Sequence, residues 1–218
     1  TGMKVISAHK GIRSFWVEVT GREAHSSMPD AGVSAIMEAL KLMQVVAELG
    51  GEATATETDA HFDPPGATMT IGMIEGGTAL NILARRCRFG FDLRAPTLPE
   101  ADAIEARFRA AAEALDAKIK VRAPEGGVSV IRRSFTPGLE MAPDSAAETL
   151  ARALTGDNRT RAAAYAAEAG LFQRAGLPAV LCGPGSIAQA HQPDEWIELS
   201  QLDEGAQFMR RLVAALSA

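Results

Sequence analysis

The sequence predicts an α/β protein whose first part, about residues 10 to 123, has the ferredoxin-like order β-α-β-β-α-β. Three observations carry this. Runs with apolar residues at every second position occur in "GIRSFWVEVTG", "ATMTIGMIEGG" and "CRFGFDLR", the mark of half-buried strands. Two other stretches repeat apolar residues at helical spacing. Their order along the chain places two helices on one face of an antiparallel sheet.

In the first strand Phe15, Val17 and Val19 share one face, with Glu18 and Thr20 on the other. After the loop "GREAHSSMPD", the residues Val33, Ile36, Met37, Leu40, Met43 and Ala47 recur at helical spacing. Asp30 is the expected N-cap and Gly50-Gly51 the expected stop. The polar stretch "GEATATETDAHFDPPG" reads as a loop. Ala67, Met69, Ile71 and Met73 then line one side of a strand that turns at Gly76-Gly77. In the sharpest pattern, Cys87, Phe89, Phe91 and Leu93 point one way and Arg88, Asp92 and Arg94 the other. Thr97 and Glu100 form a capping box, each side chain expected to satisfy the other's backbone N–H. The helix they open carries Ile104, Phe108, Ala111 and Leu115, and "AKIKVRAP" is expected to close the sheet as a short basic strand.

The remainder reads as half of an α/β sheet. A helix is expected after Pro143-Asp144, with Ala147, Leu150 and Leu154, and a second from about Glu168 to Ala175. A strand "PAVLCG" leads into "GPGSIAQAHQPDEW", and a final amphipathic helix carries Leu202, Phe208, Leu212 and Val213.

The 218 residues are 47% hydrophobic, enough for a real core, and the net charge of -5 argues against a nucleic-acid binder. No apolar run approaches the roughly 18 residues of a membrane span, and no signal peptide is visible at the start. Cys87 and Cys182 each sit in an apolar run and read as the buried thiols of a cytoplasmic protein. The opening Thr1-Gly2, which runs almost directly into strand-like sequence, is expected of a piece of a longer protein.

Four histidines bear on chemistry. His61 reads as a solvated loop residue and His9 as a packed hinge residue. His25 lies among Ser26, Ser27 and Pro29 in a loop, equally open to a structural and a functional role. His191 follows a Gly-Pro-Gly loop whose N–H groups suit an oxyanion or carboxylate. It reads equally as a zinc ligand or as a histidine capped by Asp194 and Glu195 at the start of a helix. A catalytic zinc takes three protein ligands, and the sequence has no HExxH, CxxC or HxD pair. It also lacks a GxSxG nucleophile elbow.

Four segments, "GREAHSSMPDAGVSAI", "EGGTALNILARRCRFGFDLR", "AEAGLFQRAG" and "GPGSIAQAHQPDEW", resemble the M20 family of metal-dependent amidohydrolases and peptidases. With "MKVISAHKG" they cover the chain nearly end to end in the family's order, and the last two resemble the acetylornithine deacetylase branch most. Ala166-Ala167 stand where that branch has Gly-Thr.

The resemblance implies residues 1–9 as a hinge, 10–123 as a lid and dimerisation domain, and 124–218 as the C-terminal half of a zinc-peptidase-like catalytic domain. It implies two zinc or cobalt ions per active site, with most metal ligands and the general base upstream of Thr1. His191 is then the one metal ligand retained. His25 is implied to reach a partner subunit's site and stabilise the oxyanion formed during amide hydrolysis. Asn81 and Arg94 are implied to meet substrate, Arg94 through its carboxylate, together with the N–H groups of Gly183 and Gly185. The implied reaction removes an N-acyl group from a small amino acid, N-acetyl-L-ornithine in arginine biosynthesis foremost, by a cytoplasmic homodimer. A dipeptidase, a desuccinylase and a non-catalytic dimerisation module are the rivals.

Overall fold

The computed structural model describes residues 1–142 and 145–217. In chain order its elements are β1 (Ala8–His9), β2 (Gly11–Thr20), α1 (Ala35–Thr54), β3 (Thr68–Gly76), β4 (Arg86–Ala95), α2 (Leu98–Arg122), β5 (Gly127–Thr136), α3 (Ala146–Thr155), β6 (Ala162–Ala163), α4 (Ala169–Arg174) and α5 (Leu199–Leu216). They form two compact units, Gly11–Thr136 and the pairing of Thr1–Lys10 with Pro137–Ala218. Among the described residues no helix is long and apolar enough to cross a membrane. Both cysteines are free, Cys87 buried and Cys182 half-buried.

The Gly11–Thr136 unit is a four-stranded antiparallel sheet in the order β3-β4-β2-β5, the ferredoxin-like arrangement the sequence predicts. Alternation along β2 and β4 sends Phe15, Val17, Val19, Cys87, Phe89, Phe91 and Leu93 to one face, where α1 and α2 cover them. The centre is aromatic: Phe91 stacks on Phe15 with ring centres 4.9 Å apart and meets Phe108 of α2 edge-on at 4.7 Å.

Several local expectations give way to packing. The basic strand expected at "AKIKVRAP" is the last part of α2, and the fourth strand is β5. Ile119 continues the buried stripe four residues after Leu115, while Val121 is left exposed. Lys120 pairs with Asp116 at 2.7 Å, and Lys120 and Arg122 face the helix's negative C-terminal end. The alternation read as a strand is therefore a helix edge.

The helix α1 buries a different face from the one expected. Ala35, Ala39, Leu42, Val46, Leu49 and Ala53 are buried, whereas Met37 and Leu40 are 59% and 52% exposed. The helix is apolar on two sides, and the side with small residues lies closer to the sheet. Its N-cap is Ser34, whose Oγ accepts the Met37 N–H at 3.4 Å, while Asp30 lies in a short 3-10 turn at Pro29–Ala31. Nor do Gly50-Gly51 stop it: Gly50 faces Met69 of β3, where a Cβ would come within 3.2 Å of the methionine Cβ, and the helix runs on to Thr54.

In β3 a bulge between Ile71 and Met73 reverses the alternation, so Met73 leaves the face shared by Met69 and Ile71. The capping box at α2 is half formed. Thr97 Oγ1 accepts the Glu100 N–H at 3.4 Å, but Glu100 Oε1 turns to the Ala67 N–H at 3.1 Å and the Thr58 hydroxyl at 3.0 Å.

In the other unit β1 pairs in parallel with β6, extended by bridges Ile6–Leu181 and His9–Leu139. The expected strand "PAVLCG" contributes only the bridge at Leu181; the N-terminal residues run beside it, Met3 N–H donating to Gly183 O at 2.9 Å, without forming a regular ladder. Ser145 caps α3, with Oγ accepting the Glu148 N–H at 3.4 Å; Pro143-Asp144 lie outside the described residues. The expected helices at α4 and α5 are present. No residue of α5 is buried, and Leu199, Met209, Val213 and Leu216 are all more than half exposed.

One charge sits on the apolar face of the sheet. Arg13 of β2, its side chain 6% exposed, meets Glu105 at 2.8 Å and Asp102 at 2.6 Å on α2. Burial raises the Glu105 carboxyl, but hydrogen bonds from Arg109 and Arg13 and the charge of Arg132 hold it below its ordinary value. Arg13→Ala removes the partner of a carboxylate whose side chain is 10% exposed but which keeps Arg109 at 2.8 Å. The expected loss is about 3 kcal/mol, read as a lowered urea midpoint with unchanged slope. A variant as stable as the parent would show the pair to be neutral.

Candidate functional site

The pairing of β2 with β4 does not stop at Thr20 and Arg86. It continues into the two following loops through Gly21 N–H to Arg85 O at 2.7 Å, Leu83 N–H to Ala24 O at 2.8 Å and Ser26 N–H to Asn81 O at 2.9 Å. Gly21 is required here, since a Cβ would lie 2.0 Å from Val33 O. His25 faces Ile82 across an antiparallel bridge, and the next residue along, Ser26, lies opposite Asn81 on the two laced loops.

The imidazole of His25 is exposed, and its tautomer follows from one contact. The Ser27 N–H lies 3.2 Å from Nδ1, with Ser27 Oγ at 2.8 Å. A backbone N–H only donates, so Nδ1 accepts and the neutral ring carries its proton on Nε2. Among the described residues that N–H has no partner. Ser27 was not singled out in the sequence; the His-x-Ser spacing within a tight loop is the signal that would have found it.

Arg94 is not with them. It lies opposite Ile12 at the far end of β4, eight residues from Arg86, a distance of about 27 Å at strand rise. Its Nε donates to Asp92 Oδ2 at 3.2 Å on the face away from the core, and among the described residues its terminal nitrogens have no hydrogen-bond partner.

The remaining expected residues belong to the other unit. The Gly183 N–H donates to Thr1 Oγ1 at 3.0 Å and the Gly185 N–H to Gln201 Oε1 at 3.2 Å. Neither is free for a carboxylate, which corrects the expectation of an open N–H cradle: neighbouring side chains already satisfy the loop. His191 is exposed, with φ 59°, and its backbone N–H donates to Glu195 Oε2 at 3.2 Å. The contact with Glu195 is made by the His191 backbone, and the residue stands in a loop and not at the start of a helix. Among the described residues no three His, Cys, Asp or Glu side chains gather to hold a metal. One exposed imidazole is a fitting ligand but not a cage.

His9 is fully buried and structural. Its Nδ1–H donates to Lys10 O at 2.9 Å and its Nε2 accepts the Gly170 N–H at 3.3 Å, so both nitrogens are used only when the ring is neutral. His61 stays in its loop, with Nδ1 2.7 Å from Asp59 Oδ1.

Comparison with known proteins gives the class to which this arrangement belongs. Residues 7–120 match the family model described as the peptidase dimerisation domain of M20 proteins. The chain belongs to the M20 family of amidohydrolases and peptidases, whose members are generally metal-dependent. Its relatives include the acetylornithine deacetylases of Proteus mirabilis, 32% identical over 98% of this chain and 54% of the relative, and of Pasteurella multocida, 30% identical over the same shares. The chain thus spans about half the length of the curated relatives it matches. Among solved structures, the aminopeptidase PepT of Bacillus cereus superposes with a TM-score of 0.69, at 21% identity over 95% of this chain and 52% of that one. A Staphylococcus aureus tripeptidase reaches 0.72 at 20% identity over 94% and 52%. At such identities the likeness is one of fold.

Burial lowers the His9 pKa below 6.5, the hydrogen bond to Lys10 opposing it, so the folded state holds this ring neutral. The sign follows: its contribution is complete above about pH 6.5 and is lost as pH falls and the unfolded chain takes up the proton. Melting temperature is expected to fall between about pH 6.5 and 5, and His9→Gln to flatten that part of the profile. An identical slope in the variant would assign the dependence to other groups.

Proposed function

We propose that this chain supplies the lid and the second half of the catalytic domain of a metal-dependent hydrolase that removes an N-acyl group from a small amino acid. N-acetyl-L-ornithine is the leading substrate, on the strength of the relatives named acetylornithine deacetylase. The observation that carries the reading is the Nε2–H of His25, fixed by Ser27 and without a partner among the described residues, on the loop laced to that of Asn81. The peptidases among the structural neighbours keep a dipeptidase as a second reading.

A pair of zinc or cobalt ions in such a site would supply hydroxide and polarise the scissile carbonyl, with His191 as one ligand. This chain's own residues do the rest that is legible here. The His25 Nε2–H donates to the carbonyl oxygen as it gains charge, and Asn81 on the neighbouring loop meets the substrate. A prepositioned donor of this kind is worth about 3–4 kcal/mol in the barrier. Arg94 takes the substrate carboxylate in two-pronged fashion. With about 27 Å of strand between Arg94 and the His25 end, one small substrate does not meet both in a single copy. A site shared between two copies resolves this, with His25 and Asn81 reaching into the partner's centre.

The surface for that second copy is the edge strand β3 with the outer side of α1. Met73 and Ile74 of β3 and Met37 and Leu40 of α1 are all more than half exposed, and β3 pairs only with β4. The opposite edge, β5, carries Arg132 and Arg133, charges that discourage strand pairing.

Two outcomes test this. In protein of the relatives' full length, His25→Ala is expected to lower kcat on N-acetyl-L-ornithine about 10²–10³-fold with metal content intact. Unchanged kcat would remove His25 from the reaction. Met37→Glu with Leu40→Glu is expected to shift sedimentation from dimer to monomer and to abolish activity together. A dimer indifferent to both charges would place the interface elsewhere.

A further inference from the structure

Beneath the loop that carries Asn81 lies a cleft of about 440 Å³ that the proposed reaction does not use. Its walls are the end of β3 and the turn after it (Glu75 to Thr78), the start of β4 with Arg85, and Glu23. The volume falls within the roughly 300–1,000 Å³ of small-molecule sites, but most of the lining residues are charged.

The charges are not equivalent. Arg88 lies 3.5 Å from Glu75 and stacks over the Trp16 ring at 3.8 Å, while Arg86 is held by Glu18. Two charges remain. Among the described residues the guanidinium of Arg85 makes no hydrogen bond or ion pair, and neither does the carboxylate of Glu23. Arg85 acts weakly through its charge on Glu125, a carboxylate that Arg22 already grips in two-pronged fashion, drawing its carboxyl down to about 2. So one cation and one anion face a common cleft without meeting each other. Gly76 and Gly77 leave the turn between them without side chains, and the Thr78 hydroxyl adds a donor and acceptor on the wall.

We propose that this cleft binds a free α-amino acid as its zwitterion, the carboxylate on Arg85 and the ammonium on Glu23. A simple anion drawn to Arg85 would stand against Glu23, and a simple cation drawn to Glu23 would stand against Arg85. Only a ligand carrying both charges, on groups attached to one carbon, answers both walls. An amino acid acylated on its α-nitrogen lacks the α-ammonium, so the cleft distinguishes the free amino acid from its acyl derivative. Should the reaction proposed above hold, the site senses product and not substrate; the binding itself rests on the cleft alone.

The test is calorimetric titration of the 218-residue chain with L-norvaline, N-acetyl-L-norvaline and L-norvaline amide. The amino acid is expected to bind at least tenfold more tightly than either derivative. Arg85→Gln and Glu23→Gln, both exposed positions where folding tolerates change, are each expected to weaken it at least tenfold with unaltered melting temperature. Equal affinity for all three compounds, affinity untouched by both variants, or no heat with any of them would overturn the proposal. None of these outcomes depends on deacetylase activity, so failure here leaves the reading of His25 standing, and the reverse.

Discussion

The register between β2 and β4 is the constraint on which the candidate site depends. Ten residues of β2 pair with ten of β4, from Gly11 opposite Ala95 to Thr20 opposite Arg86, and the same pairing runs on into the loops to set His25 opposite Ile82. Because side chains alternate along a strand, a slip of one residue would turn Phe15, Val17 and Val19 out of the core. The aromatic packing of Phe15, Phe91 and Phe108 therefore fixes more than the core. It fixes, a strand's length away, which loop atoms lie beside the imidazole.

The two best-defined histidines show how one residue type serves opposite ends. His9 has both nitrogens committed to backbone groups inside the protein, one donating and one accepting, and has nothing left to offer a substrate. His25 commits one nitrogen to Ser27 and keeps the other's proton outward. The difference lies in the neighbours and in burial, not in the ring. Charge on the sheet follows the same logic. Arg13 is admitted to the apolar face because Glu105 and Asp102 of α2 meet it there, and the guanidinium lies 5.4 Å from the Phe135 ring as well.

Much of this was legible in the residues. The β4 pattern, Cys87 to Leu93 inward and Arg88 to Arg94 outward, is reproduced residue for residue; in the stripe of α2 Ile104, Phe108 and Leu115 are buried as expected, while Ala112 is buried and the expected Ala111 only half-buried. Where the reading failed, two patterns competed. In "AKIKVRAP" a short alternation coincided with the end of a helical stripe, and Ile119, four residues beyond Leu115, belonged to the stripe. In α1 two apolar faces were available, and the bulkier one was chosen although the smaller one packs. The strand β5 was masked by the glycines and proline that precede it. In the site, His25 and Asn81 stood out as loop residues, but the lacing of their two loops did not. The free N–H groups expected at Gly183 and Gly185 were lost to Thr1 and Gln201, partners far away in sequence.

The sequence by itself determined the order of elements, the inward faces of β2 and β4 and the residues able to carry chemistry, because periodicity and side-chain type are local properties. Tertiary structure decided which face of α1 was buried, that Nδ1 and not Nε2 of His25 is occupied, and that Arg94 stands a full strand away from it. Those outcomes depend on contacts between segments tens of residues apart, where burial and hydrogen-bond partners are settled by what the rest of the chain brings alongside.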